Sequence, residues 1–286
     1  MKITVPTIDF GTSKIVTMVA QSNGERCDIV GSGAVPYSGY LQDGWNNPDE
    51  IRDVIRTAID QAQKTGNCRI HELNVGVPGM FTRVIVKEVH VSLTGPDPHV
   101  TAQDVRACFK LAEESGGDRI IHSAPAWFRV DDGKKTLSPV GIKGRELSAM
   151  IALVTADKYF IDDITYRLRD MDIEPREFYS TVAGEATYAL SQDERDKTAM
   201  LIDIGYLCTD VMVMEGDALI FHKCLDIGGG NISADIAEQL NIPFPFVEEK
   251  IKQTYSFNST NQDETYVIPA TEDEPARTVR RDEAVS

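Results

Sequence analysis

Cysteine is sparse and unpaired in this 286-residue chain: the five cysteines, Cys27, Cys68, Cys108, Cys208 and Cys224, never stand as Cys-x-x-Cys. That pattern excludes a small oxidised scaffold and argues against a tetrahedral zinc site, so reduced thiols are expected. Positive charge is also scarce. Twenty-nine Lys and Arg stand against 45 Asp and Glu, a formal charge of −16, and a polyphosphate backbone would meet net repulsion before any local site. Extended nucleic-acid binding is not expected. No run approaches the ~20 apolar residues that span a bilayer. Met1–Asp9 shows no export leader and the carboxyl end no basic amphipathic helix, so the chain is expected to be neither secreted, nor membrane-spanning, nor itself anchored. The five histidines show no metal-ligand spacing and no partner nucleophile, which leaves a hydrolase triad without support. The sequons at Asn231–Ser233 and Asn258–Thr260 are expected to be silent without export.

What is present is an ordinary globular composition, 42% hydrophobic and 26% charged, in a chain long enough for about two domains. The first segment reads as a β-run Ile3–Asp9, a glycine-containing turn through Phe10, Gly11, Thr12, Ser13 and Lys14, and a second run from Ile15 to Ala20. A third strand is predicted from Cys27 to Val35. The same order returns far downstream. Met200–Asp203, Ile204 and Gly205 lead through a turn ending at Thr209 into Asp210–Met214, and a strand from Ala218 to Asp226 follows the Glu215-Gly216-Asp217 turn. Strand, Asp-x-Gly, strand, turn, strand occurs twice, the signature of an internal duplication.

One Asp-x-Gly turn carries little information. Two copies facing each other would bring two carboxylates and two turns rich in peptide N–H to opposite walls of one cleft. Glycine allows close backbone approach to phosphate oxygens, N–H and small hydroxyl groups donate to them, and Lys14 adds a cation. Asp9 and Asp203 would repel a phosphate directly, so they require magnesium, held partly through its own waters. A magnesium-bound nucleoside triphosphate is the expected ligand.

These hairpins resemble the phosphate loops of the actin, Hsp70 and sugar-kinase superfamily, and the chain as a whole resembles the FtsA family of bacterial cell-division proteins. Ile8–Lys14 is similar to that family's first phosphate loop, and Gly228–Ala237 to the segment leading into its subdomain 2B. Between them lie Leu73–Pro78, a strand from Val84 to Ser92, a helix from Val100 to Ala112 with Thr101 as its cap, Ile120–Val130, a Pro139–Gly144 turn and Glu146–Val154. That unit resembles the FtsA-specific, SHS2-like subdomain 1C.

The resemblance implies an α/β, actin-like ATPase fold of the duplicated ribonuclease H-like kind: 1A over 1–83, 1C over 84–162, a return to 1A over 163–195, 2A over 196–227 and part of 2B over 228–286. It implies ATP and Mg2+ as ligands. Asp9 and Asp203 would serve the metal; Gly11, Thr12, Ser13, Lys14, Gly205, Thr209, Asp210, Gly228, Gly229, Glu249 and Lys252 would serve the nucleotide. It also implies self-association into filaments through 1C, binding to the carboxyl tail of the tubulin-like protein FtsZ, and a place at the inner face of the cell membrane. No catalytic residue is assigned, and hydrolysis is expected to be weak or absent.

Two departures accompany the likeness. Tyr206 and Leu207 stand where the family's second loop usually has glycines, and the strand pair Glu264–Arg281 is followed by no counterpart of the adenosine loop or the membrane helix. The expectation is a truncated chain with an apolar surface left uncovered. Other readings of the same core are a PilM-type pilus-assembly scaffold and an Hsp70-like or sugar-kinase-like ATPase. Asp193–Lys197 reads as a solvated connection between the halves.

Overall fold

The computed structural model describes residues 3–24, 26–41, 44–114, 116–117, 119–252, 265–268, 270 and 275–280. The chain divides into two compact units, Met1–Asp203 with Thr209–Leu225, and Ile204–Cys208 with Asp226–Ser286. The first hairpin pairs β1 (Ile3–Phe10) with β2 (Lys14–Ser22), Phe10 opposite Ile15, and β3 (Cys27–Pro36) extends it antiparallel. A two-residue pair, β4 (Tyr40–Leu41) and β5 (Gly44–Trp45), follows. The other edge of the sheet is parallel: β6 (Glu72–Val77) joins β1, and β10 (Glu174–Ser180) joins β6. The strand order is β10-β6-β1-β2-β3. A helix between β3 and β6, α1 (Ile51–Gly66), supplies the crossover that a parallel pair requires. Its apolar stripe (Ile51, Ile55, Ala58, Ile59 and Ala62) enters one core with Ile8, Phe10, Leu73 and Val75.

The inserted unit is an antiparallel sheet of β7 (Thr82–Ser92), β8 (Ile120–Val130) and β9 (Glu146–Ala156), ordered β7-β9-β8. Its helix, α2 (Ala102–Glu114), buries Cys108 and Ala112 against Phe128, Leu147, Ile151 and Leu153. Thr101 caps α2 as expected: its Oγ1 accepts from Asp104 N–H at 3.3 Å, and the Asp104 carboxylate accepts from Thr101 N–H at 2.8 Å. Thr101→Ala is expected to cost about 1 kcal/mol, read from the urea midpoint; an unchanged midpoint would show that Asp104 suffices alone. The next helix, α3 (Lys158–Arg169), buries Phe160, Ile164 and Leu168 in the core around Phe10 and Trp45. The stretch from 158 to 162, placed by sequence in the insertion, thus packs with the first sheet.

The second hairpin forms as read: β11 (Ala199–Ile204), β12 (Thr209–Glu215) and β13 (Ala218–Leu225) make a sheet in that order. Met212, Met214 and Leu219 pack with Val182, Ala183 and Ala186 of α4 (Thr181–Ala189). Alternate residues Met200 and Ile202 on β11 and Phe221 and Leu225 on β13 are exposed.

The connection before β11 departs from its reading. It carries a short helix, α5 (Gln192–Arg195), and Arg195 is only 8% exposed. Its guanidinium donates to the carbonyls of Gly216 (3.1 Å), Thr187 (3.2 Å) and Leu190 (2.5 Å). A charged pentapeptide looks solvated in sequence, but here the end of α4 and the second hairpin's turn supply acceptors that hold the arginine inside.

In the smaller unit, α6 (Gly229–Leu240) ends at Asn241 in the left-handed conformation, and Ile242, Val247 and Ile251 form a core with Tyr266, Ile268 and Val279. The last three come from an antiparallel pair, β14 (Thr265–Ile268) and β15 (Arg277–Arg280). The sequon at Asn258–Thr260 lies outside the described residues. Among the described residues no helix is long and apolar enough to cross a membrane.

Candidate functional site

The first loop is pinned from behind. Gly11 N–H closes the turn on Lys14 O at 3.1 Å, Tyr37 Oη donates to Gly11 O at 2.7 Å, and Tyr40 Oη donates to Phe10 O at 2.9 Å. Ser13 O accepts from Tyr37 N–H at 3.1 Å. Thr12 is buried and Lys14 exposed. Asp9, at the end of β1, is half-buried, and its neighbour Gly76 on β6 leaves it room: a Cβ there would lie 3.4 Å from Asp9 Oδ1 and 2.7 Å from Thr181 Cγ2.

Asp203 bears on Asp9. The Asp9 carboxyl is held above its ordinary range chiefly by burial, with a Phe10 backbone hydrogen bond and Lys14 opposing and Asp203 adding to the rise. Asp203 is raised by burial and then by Asp210. Glu185 on α4 is raised by burial and then by Asp203, Asp210 and Asp9 in turn. Asp203, Asp210 and Asp9 thus each make ionisation of a neighbouring carboxyl within the larger unit harder. A divalent cation bound near them would relieve that repulsion. Lys14 is the cation at the rim.

Asp210 is buried, and its Oδ1 lies 2.7 Å from His222 Nε2. In the β12–β13 register Asp210 faces Cys224, so His222 sits one pleat away on the same face. Neither His222 nor Glu185 was singled out in the sequence: the His222 pairing follows from register, and Glu185 stands in Thr181–Ala189 with no motif around it. Thr209 is half-buried opposite Leu225.

The remaining candidates belong to the smaller unit. Gly205 N–H donates to Cys208 O at 2.9 Å, closing the second loop. Gly229 N–H donates to Gly205 O and Gly230 N–H to Tyr206 O, both at 2.8 Å, while Gly228 N–H donates to Asn231 Oδ1 at 2.8 Å. These N–H groups are occupied within the chain. Gly228 is required by close approach, since a Cβ there would lie 2.5 Å from Tyr206 O. The Tyr206 ring packs beside Gly230, with Lys252 Nζ 4.9 Å from its centroid and 3.0 Å from Glu248 Oε1. Glu249 is exposed.

A profile of the SHS2 domain inserted in FtsA matches residues 79–155, and one of the cell division protein FtsA matches residues 200–285. A chain of the PilM-PilN type IV pilus biogenesis complex superposes with a TM-score of 0.58 at 18% identity, over 88% of this chain and 70% of that one. MreB 5 of Spiroplasma citri bound to AMPPNP gives 0.52 at 10% identity, over 98% and 72%. With the duplicated hairpins and the inserted domain, these likenesses define the class: an actin-like ATPase fold carrying an SHS2 domain. Cell division protein FtsA of Pseudomonas aeruginosa is 26% identical over 280 residues, 96% of this chain and 67% of its own length. Along most of its length the chain is similar to FtsA cell-division proteins. It spans about two thirds of the length of the curated relatives it matches.

Proposed function

We propose that this chain is a nucleotide-operated cell-division scaffold. It binds ATP with Mg2+, self-associates through the SHS2 unit, takes up the carboxyl tail of FtsZ, and works at the inner face of the cell membrane. The reading of the nucleotide part rests on Asp9 and Asp203, which stand near the ends of β1 and β11, the first strands of the two duplicated hairpins, with Asp203 adding to the rise of the Asp9 carboxyl. Asp9 and Asp203 would hold magnesium through its waters. Gly11, Thr12, Ser13 and Lys14 would serve the phosphates, with Gly205, Thr209, Asp210, Gly228, Gly229, Glu249 and Lys252 shaping the rest of the site. The metal supplies charge neutralisation between carboxylates and phosphates. The likeness to FtsA and the AMPPNP carried by the structurally similar MreB 5 support this reading. Ligand contacts drawn from both hairpins would favour one conformation over another, which is how a nucleotide gates assembly.

The test is calorimetry of the whole chain with ATP, with and without Mg2+. Binding is expected only with the metal, and Asp9→Ala is expected to weaken it at least ~10-fold, about 1.4 kcal/mol. Equal binding with and without Mg2+, or by Asp9→Ala and the parent chain, would refute the assignment. A pull-down with the FtsZ tail addresses the partner; capture of a pilus-assembly segment in its place would favour the PilM-like reading, to which the fold likeness lends some weight.

A further inference from the structure

We propose that a basic cavity at the root of the inserted domain binds a small multivalent phosphate anion. The cavity has a volume of about 760 Å3 and lies wholly within the larger unit, between the start of β7, the end of β9, the start of α3 and β13. That is the size of a small-molecule site.

Its lining runs against the charge of the chain. In a protein of formal charge −16, Arg83, Arg119, Lys158 and Lys223 converge on this hollow from four separate segments. Among the described residues no ion pair engages Arg83, Arg119 or Lys223, and Lys158 has only Asp162, at 3.9 Å. The carboxylate in the lining, Asp157, accepts from Tyr159 N–H at 2.7 Å and caps α3. Four basic residues and one capped carboxylate therefore line the hollow. Holding like charges together is unfavourable unless an anion joins them. Two of the four are arginines, whose planar forks match phosphate oxygens in pairs.

Size and polarity select the ligand. A cavity this small takes a compact anion rather than a polymer, and the net negative field of the chain repels long polyanions. The phosphate can come free in solution or as the headgroup of an acidic lipid. His222 lines the same cavity, and its Nε2 is 2.7 Å from Asp210. An occupant would thus sit next to a residue bonded to a carboxylate that raises Asp203 and Glu185.

The whole chain is titrated with tripolyphosphate in EDTA, conditions under which the carboxylate cluster has no metal and repels phosphate. Binding is expected, weakening steeply with salt, and the double variant Arg83→Ala/Arg119→Ala is expected to reduce it at least ~10-fold while Lys64→Ala, an exposed cation on α1 outside the cavity, leaves it unchanged. Both arginine side chains are exposed, so the double variant should fold normally; its thermal midpoint checks this. Sedimentation with phosphatidic acid vesicles, against phosphatidylcholine alone, separates the sources: arginine-dependent binding to the acidic vesicles assigns a lipid headgroup. The proposal fails if neither tripolyphosphate nor acidic vesicles bind, or if binding survives the double variant. It also fails if Lys64→Ala weakens binding as much as the double variant does, or if a glutamate-rich peptide binds the same arginines more tightly than tripolyphosphate.

Discussion

Arg195→Met is expected to lower stability by about 3–5 kcal/mol, seen as an earlier urea midpoint at unchanged slope. Methionine fills much of the volume but donates nothing. The carbonyls of Gly216, Thr187 and Leu190 would lose their donor, and each buried acceptor left unpaired costs about 1–3 kcal/mol unless water reaches it. The loss is local in origin and wide in effect, because the arginine ties α4 and α5 to the turn between β12 and β13. Gly216 N–H also donates back to Arg195 O at 3.0 Å, so the turn and the helix hold each other. Asp217→Asn is the control. Its contact with Arg195 is 3.4 Å long and its side chain is half exposed, so less than about 1 kcal/mol is expected. A loss under 1 kcal/mol for Arg195→Met would mean that water takes over the three acceptors.

Arg195 also marks where sequence reading stops. Asp193–Lys197 is charged at every position, and nothing local distinguishes the buried member from its solvated neighbours. Burial depends on carbonyls at the end of α4 and on one in the turn after β12, twenty-one residues away. The hairpins were legible because alternation, turn glycines and duplication are local or repeated signals, and α2 because its cap and stripe lie within one segment. The end of the insertion was not, since the helix from Lys158 has an apolar stripe that fits any core; only the aromatic cluster of Phe10, Trp45, Phe81 and Phe160 decides which it joins. At the candidate site the Asp-x-Gly pair was visible in sequence, whereas Glu185 and His222 enter through folding alone. Gly228 illustrates a subtler limit. A glycine run before a helix reads as an anion cradle, yet the same spacing lets one loop's carbonyls dock against the helix start.

The carboxylate cluster predicts that stability and ligand binding move in opposite directions in Asp203→Asn. A carboxyl whose folded value is raised above the ordinary 3.8 keeps its proton longer in the folded chain than in the unfolded one. The folded state then binds more protons across that interval, and stability falls as pH rises from 3.8 through the raised value. Below 3.8 the penalty is absent; at neutral pH it is present in full. Removing the charge removes the penalty, so the variant should melt higher at pH 7, by about 1–3 °C once solvent screening of a half-buried group is allowed for. The gain should vanish on acidification below the ordinary carboxylate range. Mg-ATP at ~100 times its dissociation constant should raise the parent chain's midpoint by about 5–10 °C, because a ligand bound only by the folded state adds ~2.7 kcal/mol. Asp203→Asn should lose most of that rise. Scanning calorimetry at two pH values, with and without Mg-ATP, reads both effects on one sample. A variant that melts lower than the parent at pH 7 without ligand would show that Asp203 is held by favourable contacts, and the case for a cation at the cluster would lose its electrostatic ground.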